Sequence, residues 1–421
     1  MSTSTGASDP RILAACGLPN DEEDVLDEDG RLKDSRSKQN GSLIANKSAV
    51  REKPTRVNAP DGLPPISFPY VIVDEACQSV EPATLIPLTA SNSCRAMVFL
   101  GDPCQLPATV KNDPNSELSI SLMERLAALL PQPVTNMHIE SIDKDTTFLE
   151  SLPIKQARSL LRTMESSGRS QASYRRRFAG SLLLSVQYRM HPSISAFSSA
   201  IFYDGLLSTP SFLARERPFP RVLKDTMPCG NRDLGVRFIN VGGRCNEMRG
   251  ELNVGLGASS SLESKSYFNE AEASTVLSVI KRLVGGNVND NTRPKTIGVV
   301  TPYSGQVRLV SELIANDDEL RSIPGILNTI EVKSVDGYQG RERDVIIFSA
   351  VRSNRHSNVG FLSDWRRLNV AMTRARDALI VVGDMETLTE GDKHWAALAK
   401  WCEGVRCVID DTEDPDECAS V

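Results

Sequence analysis

The chain has no pair of cysteines spaced C-x-x-C, only four histidines, and no apolar run approaching the roughly 18 residues that a membrane span needs. Its nine cysteines are an odd number scattered over 421 residues, which argues for reduced thiols rather than a disulfide framework or a zinc site. An intracellular compartment, nucleus or cytoplasm, is the expectation. The opening residues Met1 to Thr5 carry neither a basic stretch nor an apolar one, so no secretory signal is expected. With no membrane-length run, a soluble protein without a membrane partner is expected. What the chain does have is a hydrophobic fraction of 40%, enough for two or three ordinary cores, and this excludes a wholly disordered protein.

Negative charge is unevenly distributed, with two runs that contain no base. Asp21 to Asp29 holds seven carboxylates and no base, and the tail from Asp410 holds six more, again without a base. Since the formal net charge is only −6, the residues outside these runs carry about +7. A basic body between acidic ends is compatible with a polyanionic partner, and equally with a solvated surface bearing acidic tails.

Residues 1–65 are polar, and from Cys16 onward apolar periodicity gives way to Lys, Ser, Asn and Pro, as in a loop or disordered insertion. Tyr70 to Val73 and Met97 to Leu100 are short apolar runs ended by Asp74 and by Gly101-Asp102, in the manner of buried parallel strands that finish at a ligand-facing edge. Residues 134–180 have weak periodicity and a basic knot, Arg175 to Arg177, and read as a second insertion or linker, with a nucleic-acid contact as the alternative for the knot. From 181 the rhythm is regular. Ile194, Phe197, Ile201 and Phe202 share a helical face. A helix capped by Asn269 and Glu272 buries Val276, Ile280 and Leu283 and stops at Gly285-Gly286. Strands at Val236 to Val241, Thr296 to Val300, Asp344 to Val351 and Ala378 to Val382 alternate with helices around Val307 to Ile314 and Trp365 to Arg374, which predicts α/β architecture with parallel sheets covered by helices.

Five clusters fall at the ends of these strands or the openings of helices, where doubly wound sheets place their ligands. In chain order they are Asp74-Glu75-Ala76-Cys77-Gln78, Gly101-Asp102-Pro103-Cys104-Gln105-Leu106-Pro107, Gln187-Tyr188-Arg189-Met190-His191-Pro192, Val335-Asp336-Gly337-Tyr338-Gln339-Gly340-Arg341-Glu342 and Asn369-Val370-Ala371-Met372-Thr373-Arg374-Ala375-Arg376. Together, in this order and spacing, they resemble the motor core of superfamily-1 helicases, specifically the senataxin-like branch that includes the nonsense-mediated-decay helicase, over residues from about 66 to 400. The resemblance implies two RecA-like parallel-sheet domains of the P-loop NTPase fold, the first truncated at its N-terminus. Residues 66–133 would be the remainder of the first domain, 181–405 the second, and 406–421 an acidic tail.

Hydrolysis of ATP needs a hard carboxylate for Mg2+ and a base for the attacking water. Adjacent carboxylates at a turning strand end can do both; the family assigns metal binding to the residue matched by Asp74 and water activation to that matched by Glu75. An acidic strand terminus without catalytic meaning is the bland alternative. Gln105 takes the family's γ-phosphate sensor position, although Ala108 stands where a second proline is usual. Arg189 and Arg374 match its two arginine fingers, against the alternative of surface ion pairs. Arg376, about 200° away from Arg374 if both lie on a helix, reads as a structural contact. Tyr188 matches the adenine-stacking position, with a core tyrosine as the competing reading. Glu342 matches the ribose-binding acid, and Gly340 would let the backbone approach closely because it lacks a Cβ. His191, without a second ligand nearby, reads as structural. Thr301, Pro302 and Tyr303 resemble the segment that grips a single strand, and Ser334 and Arg352 are further nucleic-acid candidates by the same resemblance. The resemblance thus implies single-stranded RNA or DNA as the partner, and hydroxyls and helix N-terminal amides can hold its phosphates without reading bases.

The family also needs a loop G-x-x-x-x-G-K-[ST] to cradle the phosphates, and the chain contains no Gly-Lys dipeptide. Thr3 to Pro10 resembles the family segment located between that loop and the acidic pair, so a partial gene product or truncated gene model is the expectation. Two readings follow: an ATP-dependent helicase represented by a fragment, or a non-catalytic nucleic-acid-binding or regulatory module derived from one.

Overall fold

The computed structural model describes residues 68–89, 93–110, 117–129, 151–165, 182–210, 212–213, 234–242, 247–250, 266–285 and 294–410. The expected N-terminal insertion, the segment Thr3 to Pro10, the knot Arg175 to Arg177 and all but the first residue of the acidic tail lie outside them. The chain divides into two compact units. One comprises residues 1–103 and 107–126, the other 104–106 and 127–421.

In the first unit, β1 (Tyr70–Val73) pairs in parallel with β2 (Ala96–Phe99), joined by α1 (Glu81–Thr89). The expectation of buried strands needs correction: Tyr70 is 74% and Ile72 66% exposed. A parallel sheet hides both faces only when helices cover both, and two strands with one intervening helix cover one. α2 (Leu122–Leu129) begins here, and Arg125 at its centre makes a bidentate pair with Glu81 of α1 at 2.6–2.7 Å.

The second unit is built on a six-stranded, fully parallel sheet of β3 (Val236–Asn240), β6 (Ile297–Thr301), β7 (Ile330–Ser334), β8 (Arg343–Ser349), β9 (Ala375–Gly383) and β10 (Val408–Asp410), in the order β10-β3-β9-β8-β6-β7. A separate antiparallel pair is formed by β4 (Glu247–Arg249) and β5 (Tyr267–Asn269). Because successive side chains of a strand point to opposite faces, β8 feeds two cores at once. Ile346 and Phe348 join Val300, Leu379, Val381 and Phe238 on one side; Val345 and Ile347 join Val299, Ile380, Val382 and Ile239 on the other.

The first core is covered by α3 (Leu152–Glu165), α4 (Pro192–Phe202), α8 (Trp365–Met372) and α10 (Lys393–Gly404), the second by α5 (Glu270–Val284), α6 (Ser304–Asn316) and the short α7 (Asp318–Ser322), while α9 (Met385–Gly391) links β9 to α10. Helices on both faces of a parallel sheet are the architecture the sequence predicts. Caps fix the helix starts: the Asn269 side chain accepts from Glu272 N at 3.1 Å, and Asp392 from His394 N at 2.8 Å.

Three expectations change. α3 arises inside the segment read as an insertion, and Ile154, Ala157 and Leu161, spaced three and four apart, sit in the first core. α8 ends at Met372, so Arg376 lies in β9 and not on a helix. The 200° separation between Arg374 and Arg376 therefore does not apply, and a different geometry governs the two arginines. Finally, the candidate residues do not all lie at one edge of the sheet: Thr301 and Ser334 finish strands, whereas Glu342, Arg374 and Arg376 flank or open the amino ends of β8 and β9.

Candidate active site and strand-contact edge

At the end of β1, Asp74 and Glu75 are both exposed. Glu75 has φ 52° and ψ 39°, a left-handed conformation that a non-glycine residue adopts at a cost of about 1–2 kcal/mol. Its N–H donates to Asp74 Oδ1 at 3.0 Å, and its own carboxylate accepts from the Gln78 amide. Ala76 N then donates to Leu100 O at 2.8 Å, tying the acidic turn to the end of β2. Gly101 follows, where a Cβ would meet Cys77 N at 3.0 Å and Ala76 N at 3.1 Å; here the absence of a side chain lets the Gly101-Asp102 backbone close on the acidic turn. Burial pushes the neighbouring Cys77 thiol up to about 12, so it stays protonated and is no nucleophile.

Among the described residues no group of three or more His, Cys, Asp or Glu side chains could hold a metal. A cation at Asp74 would thus have fewer than three such protein ligands and complete its shell with water and phosphate oxygens, which is how Mg2+ sits beside nucleotides, and the donor set fits it.

In the second unit, residues far apart in sequence meet. Arg374, buried, donates from Nη2 to Gln105 Oε1 at 2.9 Å and to Thr373 Oγ1 at 3.1 Å, and from Nε to Val370 O at 3.0 Å. Gln105 reaches this place because Cys104 to Leu106 belong to the second unit, where Asn369 Nδ2 donates to Cys104 O at 2.8 Å. Arg189 donates from Nη1 to Thr373 O at 3.0 Å and from Nε to Glu342, while Arg376 grips the other oxygen of the same carboxylate. Partial burial alone would raise the Glu342 pKa; hydrogen bonds from Arg376 and Arg189 overcome it and hold the carboxyl below the usual range. Two strand residues two apart face the same way, but Arg374 stands before β9 and Arg376 within it, so one guanidinium turns to Gln105 and the other to Glu342.

Tyr188 is 61% exposed, which removes the core reading and leaves its ring open to a planar ligand. Gly340 has φ +70°, a left-handed backbone that favours glycine, and no protein atom stands within 4 Å of where a Cβ would lie. His191 caps α4, its Nδ1 accepting from Ser193 N at 3.3 Å.

At the carboxyl edge of the sheet, Thr301 and Ser334 are register partners on β6 and β7. Thr301 is fully buried and, among the described residues, its Oγ1 has no hydrogen-bond partner; Pro302 is partly exposed; Ser334 Oγ accepts from Gly337 N at 3.1 Å. Tyr303 and Arg352 are interior as well. Arg352 pairs through Nε with Glu247 at 2.9 Å, donates to the Tyr303 hydroxyl at 3.3 Å and lies 4.3 Å over the Tyr267 ring. Arg352 is therefore buried and organises this edge through Glu247, Tyr303 and Tyr267. Glu247 and Tyr267, its partners, carry no local sequence signal: they lie on β4 and β5, more than 80 residues upstream.

A family model described as an AAA domain matches residues 157–386, and a second of the same description matches residues 59–113. The DNA polymerase alpha-associated DNA helicase A of Saccharomyces cerevisiae is 32% identical over 346 residues, 80% of this chain and 41% of that protein. A regulator of nonsense transcripts 1 homolog from Arabidopsis thaliana is 30% identical over 349 residues, 82% of this chain and 22% of that protein. Helicase sen1 of Schizosaccharomyces pombe is 30% identical over 333 residues, 79% of this chain and 15% of that protein. The chain thus spans less than half the length of each of these curated relatives.

Proposed function

The chain belongs to the superfamily-1 helicases, in the branch of the nonsense-transcript regulators and helicase sen1, and on that premise we propose that it is part of an ATP-dependent motor acting on single-stranded RNA or DNA. The observation that carries the reading is the hydrogen bond from Arg374 to Gln105, which joins a guanidinium and an amide 269 positions apart in one cluster with Arg189 and Glu342. The planar fork of arginine matches phosphate oxygens, and here Arg374 shares a cluster with Arg189 and Arg376, which the Glu342 carboxylate holds in place.

The division of labour follows from the chemistry of each side chain. Asp74 would hold Mg2+, which supplies neutralising charge between the β- and γ-phosphates. Glu75 accepts the proton of the attacking water; the left-handed backbone at this residue is an outlier of the kind that marks sites where geometry serves function. Gln105 Oε1 is a neutral acceptor, so a γ-phosphate oxygen, being charged, competes with it for Arg374, and the freed amide can then orient water. Arg374 and Arg189 stabilise the charge that spreads over the equatorial oxygens in the transition state. Tyr188 stacks the adenine, and Glu342, with the turn at Gly340, receives the ribose hydroxyls. Thr301, Pro302, Tyr303, Ser334 and Arg352 build the edge that contacts the strand backbone.

Strand-stimulated ATP hydrolysis by the chain tests this. Because the chain lacks the phosphate-cradling loop, the expected result is weak turnover that rises with added single strand and vanishes in Glu75→Gln; with that loop supplied, Arg374→Ala is expected to lower turnover strongly while binding of a fluorescent ATP analogue changes far less. Strand binding without turnover, and without any effect of ATP on strand affinity, would establish a binding module instead.

A further inference from the structure

Three of the five residues expected to touch a strand, Thr301, Tyr303 and Arg352, are buried, so something else must present a surface there. The buried cluster ends in one exposed aromatic. Arg352 donates to the Tyr303 hydroxyl, the Tyr303 ring centroid lies 5.8 Å from that of Phe361 with the planes inclined at 51°, and Phe361 is 59% exposed.

Phe361 is held out deliberately by its neighbours. It lies on a 3-10 turn, Gly360–Ser363, whose flanking residues Val359 and Leu362 are both buried in the first core. Leu362 N donates to Val359 O at 3.1 Å, and the Trp395 indole donates to Leu362 O at 3.0 Å, so the turn is fixed from below. Gly360 has φ +54°, and a Cβ on it would stand 2.4 Å from Arg352 Nη1 and 2.8 Å from the Tyr303 hydroxyl. Only glycine can lie across those two groups, and lying there it sets the next residue at the rim of the same sheet edge. Arg367, one turn into α8, places its guanidinium carbon 5.5 Å from the Phe361 centroid and is itself steadied by Asp364 at 3.2 Å.

A flat apolar ring with a guanidinium beside it, rigidly mounted and open to water, is matched to another flat ring that carries negative charge on its backbone. We propose that Phe361 is a base-stacking residue, on which one unpaired base of a bound single strand rests beside Arg367. This deepens, and rests on, the reading of the chain as a strand-binding motor. Stacking of this kind does not read sequence, because every base has a π-face. The neighbouring arginine adds a cation–π and phosphate attraction without requiring a particular base.

The test is titration of the full chain against a fluorescent homopolymer strand and against an abasic strand of the same length. Phe361→Ala is expected to weaken binding of the base-bearing strand by roughly 5- to 100-fold, to leave abasic binding unchanged, and to leave the slope of affinity against salt unchanged, since no phosphate contact is lost. Phe361→Trp is expected to restore affinity, and its emission should be quenched by the base-bearing strand but not by the abasic one; this readout stands even if the alanine variant folds poorly. Equal affinities of wild type and Phe361→Ala for bases, or equal losses on both strands, would overturn the stacking assignment while leaving the motor reading intact. Failure of the wild-type chain to bind any single strand would instead overturn that reading, and the stacking with it.

Discussion

At the carboxyl edge of the second unit's sheet, the proposed strand-contact edge, a buried carboxyl group that is itself no candidate contact helps to hold the backbone in shape. Glu272, fully buried on α5, accepts from Ser349 Oγ at 2.6 Å and Val351 N at 2.8 Å, and Asn269 Nδ2 donates to Val351 O at 3.1 Å. Val351 is thereby gripped at both ends of its peptide unit in a left-handed conformation, φ 72°, which a β-branched side chain strongly resists. Arg352 is the next residue, so its placement against Glu247 and Tyr267 depends on this grip. Burial pushes the Glu272 pKa up to about 8, with Asp384 adding to it against the hydrogen bonds from Ser349 and Val351. The native state therefore keeps a proton that the unfolded chain releases near its ordinary value of 4.5. Where the native state binds more protons, stability falls with rising pH, so this contribution is fully present below about 4.5 and is lost progressively as pH rises to about 8. Urea midpoints measured across that window should fall more steeply for the wild type than for Glu272→Gln, which is neutral at every pH. Parallel curves would show that Glu272 is ionised in the fold. Glu272→Ala, leaving the Val351 N–H and Ser349 hydroxyl buried and unpaired, is expected to cost about 2–4 kcal/mol.

At the scale of elements, the tightest fit is where the connection from β7 to β8 crosses β6. Tyr338, buried on that connection, lies directly over Gly298 of β6: a Cβ there would stand 2.3 Å from its hydroxyl and 2.7 Å from Ile346 Cδ1. The hydroxyl donates to Glu331 O at 3.3 Å, at the start of β7. Gly298→Ala should force Tyr338 off this seat and lower stability by roughly 1–3 kcal/mol, whereas the paired change Gly298→Ala with Tyr338→Phe should recover part of the loss by removing the clashing oxygen. A double variant no better than the single would place the clash on Ile346 Cδ1 or on the Tyr338 ring carbon Cζ, at 2.7 and 2.8 Å, and not on the hydroxyl. The same elements show why some of the fold was legible in the chain and some was not. β6, β8 and β9 are buried on both faces and read as continuous apolar runs. β7, with the sequence Ile-Glu-Val-Lys-Ser, is a half-buried edge strand, and nothing in its composition separates it from a loop. α3 did carry its signal, Ile154, Ala157 and Leu161 at helical spacing, but within a segment whose surroundings are polar. That Gln105, Arg189, Glu342 and Arg374 are candidates for one site was legible, because each side chain's chemistry travels with its motif. The roles of Glu247, Tyr267, Glu272 and Phe361 were not, since each depends on a partner tens of residues away that only the fold brings near.

Across the whole molecule, stability must be distributed unevenly, because the two units are built on very different amounts of buried structure. The second unit has six parallel strands with a core on each face, and β8 and β9 at its centre are flanked on both sides by hydrogen-bonded neighbours. The first unit shows, among the described residues, two paired strands whose side chains at Tyr70, Ile72 and Val98 face solvent. A two-stranded sheet is marginal in water, since it gains too little burial to offset the ordering of its backbone. Local opening of β1 and β2 should therefore require much less free energy than opening of β6, β8 or β9. Hydrogen exchange read by mass spectrometry should find peptides covering residues 70–73 and 96–99 exchanging at least about tenfold faster than those covering 343–349 and 375–383, a gap of about 1.4 kcal/mol or more. The acidic turn Asp74-Glu75 hangs from β1, so the same measurement bears on the site. A nucleotide that engages Asp74 and Glu75 would slow exchange at residues 70–73 more than at 343–349, because ligand stabilises most where the free protein opens most easily. Uniform protection across both units, with or without nucleotide, would mean that β1 and β2 are already as firmly held as the central sheet.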